Sequence, residues 1–133
     1  MPRCVTECVL DASAVLAVLR QESGADVVRP LLRGGLISAV NAGEVMNRLV
    51  QLGGLLNEIV PLVQQLEMQI VDFNFEQAAV ATSLQPLARQ ANLSFGDRAC
   101  LSLGMMRRHN VLTADRDWQG ISHHLGIEIR LIR

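Results

Sequence analysis

The order of short apolar runs and capped helical stretches predicts an α/β fold, a mainly parallel sheet of about five strands with helices on both faces. Two further observations support it. Short apolar runs such as Cys8-Val9-Leu10 stop at a helix-capping residue, here Asp11, which marks the passage from strand to helix. The chain has 133 residues, half of them hydrophobic and 19% charged, which suits one domain over 1–133 with a real core and argues against disorder.

The elements follow in order. Residues 8–10 read as a strand, with Asp11-Ala12-Ser13 as the turn into a helix over 14–20 that Gly24 closes off. A second helix spans 25–33 and stops at Gly34-Gly35, and a second strand spans 36–40. Asn41 can cap a third helix running to about Leu52, ended by Gly53-Gly54. Residues 55–67 read as helix, with Pro61 predicting a restart or a kink. A third strand covers 69–73, and Asn74 caps a long helix to about Gln90, with Pro86 an irritant inside it. Ser94 caps a helix over 95–108, and strands at 110–113 and 128–132 complete the sheet. There is no internal repeat, linker or low-complexity tract.

Composition excludes several classes. Cys4, Cys8 and Cys100 are an odd set without a disulfide framework, and no His or Cys pair completes zinc-finger spacing around Cys4 and Cys8. Cys8 fits ordinary strand packing. Arg3 before an apolar stretch and Ala12-Ser13-Ala14 imitate a secretion signal, but Glu7 and Asp11 interrupt its core. No uncharged apolar run approaches the roughly 18 residues of a membrane span, so a cytoplasmic location is expected. Net charge is −1, yet all 12 cationic side chains are Arg, which grips phosphate bidentately. A genome-wide Arg bias explains that composition equally well.

Open parallel sheets place their sites outside the carboxyl ends of the strands. Asp11 follows the first strand, Glu44 lies in the first turn of the third helix, Asp97 in the first turn of the helix after Ser94, and Asp115 and Asp117 follow the fourth strand. Each acid alone has a structural explanation. Asn41-Ala-Gly-Glu44 and Ser94-Phe-Gly-Asp97 fit capping boxes, and Asp115-Arg-Asp117 fits a turn with a surface ion pair. Together, brought to one edge, they form a cluster of like charges that needs a cation between them. Oxygen-only donors select Mg²⁺ or Mn²⁺, and such clusters serve phosphodiester chemistry. Ser13 and Thr113 add small hydroxyls suited to supporting the acids or simply to capping.

The stretches Val9-Leu-Asp-Ala-Ser-Ala14, Ser38-Ala-Val-Asn-Ala-Gly-Glu44, Leu93-Ser-Phe-Gly-Asp-Arg-Ala-Cys100 and Val111-Leu-Thr-Ala-Asp-Arg-Asp-Trp118 resemble the motifs of PIN-domain proteins. Their wording is most similar to the toxin half of VapBC toxin–antitoxin pairs, and the resemblance runs over essentially the whole chain. It implies a PIN-like α/β/α sandwich and a Mg²⁺- or Mn²⁺-dependent endoribonuclease that leaves a 5′-phosphate. It further implies a homodimer inhibited by a cognate antitoxin. Asp11, Glu44 and Asp97 match the family's three firm acidic positions. Asp115 matches the fourth best, while Asp117 stands two residues on and shares or replaces that role.

Two other readings stand beside this one. A haloacid-dehalogenase-like phosphatase also carries an acid after its first strand, but needs an Asp two residues later, where Ser13 stands, and a Lys that this chain lacks. The serious alternative is a catalytically weak PIN-fold module that binds RNA or acts as a scaffold. Arg98 and Arg116 either contact RNA phosphate or neutralise the neighbouring acid. Trp118 is expected to pack rather than stack on a base, and Phe73, Phe75 and Phe95 are expected in the core.

Overall fold

Three apolar strands form the middle of the sheet, and a computed structural model describes them within residues 7–133. β1 (Cys8–Leu10) pairs in parallel with β2 (Leu36–Ser38) on one side and β4 (Asn110–Thr113) on the other. β3 (Gln69–Val71) lies outside β2, and β5 (Ile129–Leu131) outside β4. The order is β3-β2-β1-β4-β5, all parallel. The three central strands are covered on both faces, which is why they read as unbroken apolar runs, whereas the two edge strands are partly exposed.

Alternation along the strands divides the core in two. Leu10, Ile37 and Leu112 join a cluster with Val15, Val28, Val45, Ile59 and Val63. These come from α1 (Ala12–Leu19), α2 (Ala25–Val28), α3 (Ala39–Gln51) and α4 (Leu56–Gln64). Val9, Leu36 and Val111 pack on the opposite face with Leu84, Ala91, Cys100, Leu101, Leu103 and Trp118. That layer is built by α5 (Phe75–Ser83), α6 (Gln85–Ala91), α7 (Phe95–Arg107), α8 (Ser122–Leu125) and the 3-10 segment before α8 that carries Trp118. The result is the three-layer sandwich expected from the alternation of elements.

Several element ends differ from the sequence reading, each for a local reason. The second strand stops at Ser38, whose hydroxyl accepts from the Val40 N–H at 3.2 Å and caps α3. Asn41 therefore lies inside α3, Glu44 sits in its second turn, and the expected Asn41–Glu44 capping box does not form. The helix expected over 25–33 is α2 followed by a 3-10 turn, Arg29–Leu31, because Pro30 has no N–H to continue the α pattern. α4 keeps Pro61 inside one helix rather than restarting there. The long helix after Asn74 breaks at Leu84 into α5 and α6, with Pro86 in the first turn of the second.

The stretch between β4 and β5, which the sequence left without an element, holds a 3-10 segment, Arg116–Ile121, and α8. Trp118 is 0% exposed there, so it packs and offers no face to a base. Cys8 is buried in its strand as expected, while Cys4 and the secretion-like residues around Arg3 lie outside the described residues. The core expectation fails for Phe75, which is 89% exposed, for Phe95, 45% exposed, and for Phe73, which is half-buried outside both core clusters. Phe75 and Phe95 each open a helix, directly after its cap. Among the described residues no helix is long and apolar enough to cross a membrane.

Candidate active site

From β1 the chain passes to β2 and β3 on one side, then returns across the sheet to β4 on the other. The order reverses between β1 and β4, where the connections leave a crevice beyond the carboxyl ends of the strands. Asp11 ends β1 at this crevice, and Asp115 follows β4 by two residues. α3 and α7 pack against one another and bring Glu44 and Asp97 to the same place. All four acids line one cavity of about 270 Å³, with Ser13, Asn41 and Arg48. Asp117 is not among the lining residues; its backbone N–H donates to Asp115 Oδ1 at 3.0 Å. A larger concavity, about 660 Å³, is lined by Arg108, Asn110, His123 and Glu128, and Glu128 is its only carboxylate.

Asp11 is held from both sides. Its Oδ1 accepts from the Ser13 hydroxyl at 2.7 Å and from the Ala14 N–H at 2.9 Å, capping α1. Its Oδ2 accepts from the Thr113 hydroxyl at 2.6 Å. The two hydroxyls in turn accept from the backbone N–H groups of Ala114 and Asp115, at 2.9 and 3.0 Å. Ser13 and Thr113 thus tie the end of β1 to the loop that carries Asp115, and fix two acids with one network. Burial of Asp11 pushes its carboxyl up to about 6; the three hydrogen bonds oppose this, and the charge of Asp97 adds to it.

Asp97 sits where the capping box puts it. The Ser94 hydroxyl accepts from the Asp97 N–H at 3.1 Å, and Asp97 Oδ2 accepts from the Ser94 N–H at 2.9 Å. Desolvation raises its carboxyl above the ordinary value, Ser94 counteracts this, and Asp115 and Arg98 push in opposite directions. The structural and chemical readings of this acid are therefore compatible: the cap uses one oxygen, and Oδ1 has no hydrogen-bond donor among the described residues.

Two residues that the sequence reading did not assign to the site organise Glu44. Asn41, 1% exposed, donates through Nδ2 to Glu44 Oε1 at 2.8 Å and to the Gly96 carbonyl at 3.0 Å, clamping α3 to the first turn of α7. Gly96 makes the close approach possible, since a Cβ there would collide with the Glu44 carboxylate. Among the described residues Arg48 is the one cation lining the cavity, one turn beyond Glu44 on α3. Its spacing of four from Glu44 was the available signal. Beneath the cluster, burial followed by the charges of Asp11, Asp97 and Glu44 holds the Cys100 thiol well above its ordinary value, so it is an inert packing group.

The donor set fits a hard divalent cation. It is all oxygen, it has an excess of negative charge, and its innermost carboxylate is destabilised in the ionised form by the surroundings. Among the described residues no three His, Cys, Asp or Glu side chains stand close enough to chelate an ion as they are. Mutual repulsion favours that spread. Asp97, Glu44 and Asp115 each give one oxygen to a local hydrogen bond, to Ser94, Asn41 and Asp117. Their second oxygens have no donor among the described residues.

The PIN-domain family model matches residues 8–123. The fold is similar to that of a chain of the DNA-bound VapBC from Salmonella typhimurium, with a TM-score of 0.70 at 15% identity over 98% of this chain and 100% of the other. It is also similar to a chain of VapBC2 from Rickettsia felis bound to a promoter DNA fragment, with a TM-score of 0.69 at 14% identity over 94% and 98%. A chain of a toxin–antitoxin complex from Klebsiella pneumoniae gives 0.68 at 16% identity over 86% and 92%. No curated protein sequence matches the chain. The family match runs from the first strand into the last helix, through every segment that supplies an acid to the cavity; the chain belongs to the PIN-domain family.

Proposed function

We propose that the protein is a Mg²⁺- or Mn²⁺-dependent endoribonuclease and the toxin of a toxin–antitoxin pair. One observation carries the nuclease reading: Asp11, Glu44, Asp97 and Asp115, from four separate segments, line one cavity at the reversal point of the sheet. Asp11, Glu44, Asp97 and Asp115 would hold the cation, with Asp115 rather than Asp117 as the fourth acid because Asp115 faces the cavity. A bound divalent cation supplies Lewis acidity, lowering the pKa of a water and offsetting charge on the phosphate.

The protein's own groups do the rest. Ser13 and Thr113 keep both Asp11 oxygens oriented by donating to them. Asn41 holds Glu44 against the first turn of α7. Arg48 stands at the wall of the cavity to receive a phosphate of the strand, offsetting the repulsion between RNA and the acids. RNA is the proposed substrate; the acidic cavity and the family support a phosphodiester strand.

The toxin reading is supported by the VapBC complexes among the similar folds and by an uncovered apolar surface. Val50 and Leu52 at the end of α3 and Leu55, Leu56 and Leu62 along α4 are exposed. A second copy of this chain and an antitoxin segment are the proposed coverings, in the cytoplasm. The test is cleavage of RNA by the purified chain with Mn²⁺. Activity lost in EDTA and in Asp11→Asn supports the reading; RNA cleavage that survives both removes it. A chain that binds RNA with acids intact yet never cuts it would favour the binding or scaffold module instead.

A further inference from the structure

The chain has three Phe, one Trp and no Tyr. Trp118 fills the core, but none of the three Phe does. All three gather at the carboxyl edge of the sheet: Phe73 and Phe75 follow β3, and Phe95 opens α7. Phe75 is 89% exposed and Phe95 45%, so two of the three Phe rings are turned to water, where an apolar ring gains nothing by itself.

The arrangement around Phe95 is ordered. Phe73 packs edge-to-face against it, with centroids 5.8 Å apart and planes at 83°. The Arg98 guanidinium carbon lies 5.3 Å from the centre of the Phe95 ring. The next residue, Gly96, backs the Glu44 carboxylate, and the one after, Asp97, lines the acidic cavity. Phe95 therefore stands two residues before a lining acid, in the same first turn of α7.

We propose that Phe95 and Phe75, with Arg98, form a stacking platform for unpaired nucleobases of the RNA strand whose phosphate enters the acidic cavity; this rests on the nuclease reading above. Stacking needs a flat exposed ring and tolerates any base; Arg98 lies over one face of the Phe95 ring, so a base would take the other face, or the Phe75 ring, with the guanidinium close by for the backbone phosphate. The platform would hold the strand in single-stranded form next to the carboxylates, because a base stacked on a Phe is not paired. A protein partner is the poorer match for this edge. The aliphatic surface for that purpose lies along α3 and α4, whereas this edge combines rings with a cation and adjoins the cavity.

The experiment uses the full chain in EDTA and a single-stranded oligoribonucleotide carrying 2-aminopurine. Phe75→Leu and Phe95→Leu keep apolar bulk and remove the ring; Phe75→Tyr keeps the ring. The expected result is a change in 2-aminopurine emission on binding to the wild type, as the base leaves its stacked neighbours, and a 5- to 100-fold weaker Kd (roughly, per ring) with a smaller emission change in each Leu variant. The Tyr variant should keep the wild-type Kd. Unchanged Kd and emission change in the Leu variants overturns the proposal. So does a Leu variant that sediments as a smaller species while its RNA affinity holds, since the edge is then a contact between copies. Cleavage with Mn²⁺ is scored separately on the same RNA. Ring-dependent binding without any cleavage by the wild type removes the nuclease reading and leaves the platform; cleavage with ring-independent binding does the reverse.

Discussion

Asp11 is both a helix cap and the most deeply buried acid of the cavity, and these roles oppose one another in the metal-free protein. Burial raises its carboxyl to about 6 from an ordinary 3.8. The folded state then binds a proton that the unfolded chain has released, so this contribution is fully present below about 4 and is lost as pH rises through about 6. At pH 7 the ionised form costs about 3 kcal/mol at most. Thermal melts in EDTA should therefore fall by several degrees between pH 5 and 7, and Asp11→Asn should flatten that slope. A second residue-scale prediction concerns Gly96. Gly96→Ala places a methyl against the Glu44 carboxylate and should weaken Mn²⁺ binding about tenfold or more, roughly the scale of losing one supporting contact at a metal site. Calorimetry of that variant checks it; wild-type affinity would mean that Glu44 can move aside without consequence.

Helix starts decided where the sequence could be read and where it could not. Ser94 and Asp97 sit three apart, and the expected box is present; Asn92, the other cap-capable residue nearby, closes α6 instead. At the start of α3 two cap-capable residues, Ser38 and Asn41, also lie three apart, and propensity does not choose between them. The choice comes from a contact 55 residues distant, the Asn41 bond to the Gly96 carbonyl, which only the folded chain possesses. The same contact explains why Asn41 reads as a cap in the sequence but lies inside α3 as the clamp on Glu44. Strands, by contrast, are readable because burial on both faces leaves an apolar run, but their ends are not: the run of β2 continues past Ser38 into Ala39-Val40 of α3, and the edge strands β3 and β5 are shorter than the apolar stretches that mark them. Ser94→Ala should lower stability by about 0.5–2 kcal/mol, through loss of the α7 cap. The same substitution frees Asp97 to rotate, so metal affinity should fall with it in a denaturant melt paired with a Mn²⁺ titration. If only stability falls, the cap and the site are independent.

The whole molecule gathers its acids by topology rather than by sequence proximity. Asp11 and Asp115 meet because β1 and β4 are neighbours across the reversal of strand order, and Glu44 and Asp97 because α3 and α7 pack at the same edge. This is why individually weak motifs become informative once the alternation of strands and helices is accepted. The same scale holds the prediction about partners. With Val50, Leu52, Leu55, Leu56 and Leu62 exposed on one side, the isolated chain should associate with itself, and co-expression with the small gene beside it should yield a co-purifying complex. Expression alone should arrest growth and Asp11→Asn should not. A monomer that is harmless and captures no such partner would count against the toxin reading while leaving a plain PIN nuclease standing.

The central claim is that four carboxylates from four segments act as one cation site, and calorimetric titration of Mn²⁺ into the metal-free protein tests it most directly. Wild type should bind Mn²⁺ with measurable heat, and Asp11→Asn, Glu44→Gln, Asp97→Asn and Asp115→Asn should each weaken that binding sharply, whereas Asp117→Asn should leave it near wild type. Unchanged binding in both Asp11→Asn and Asp97→Asn, variants still folded by their melting curves, would contradict the account.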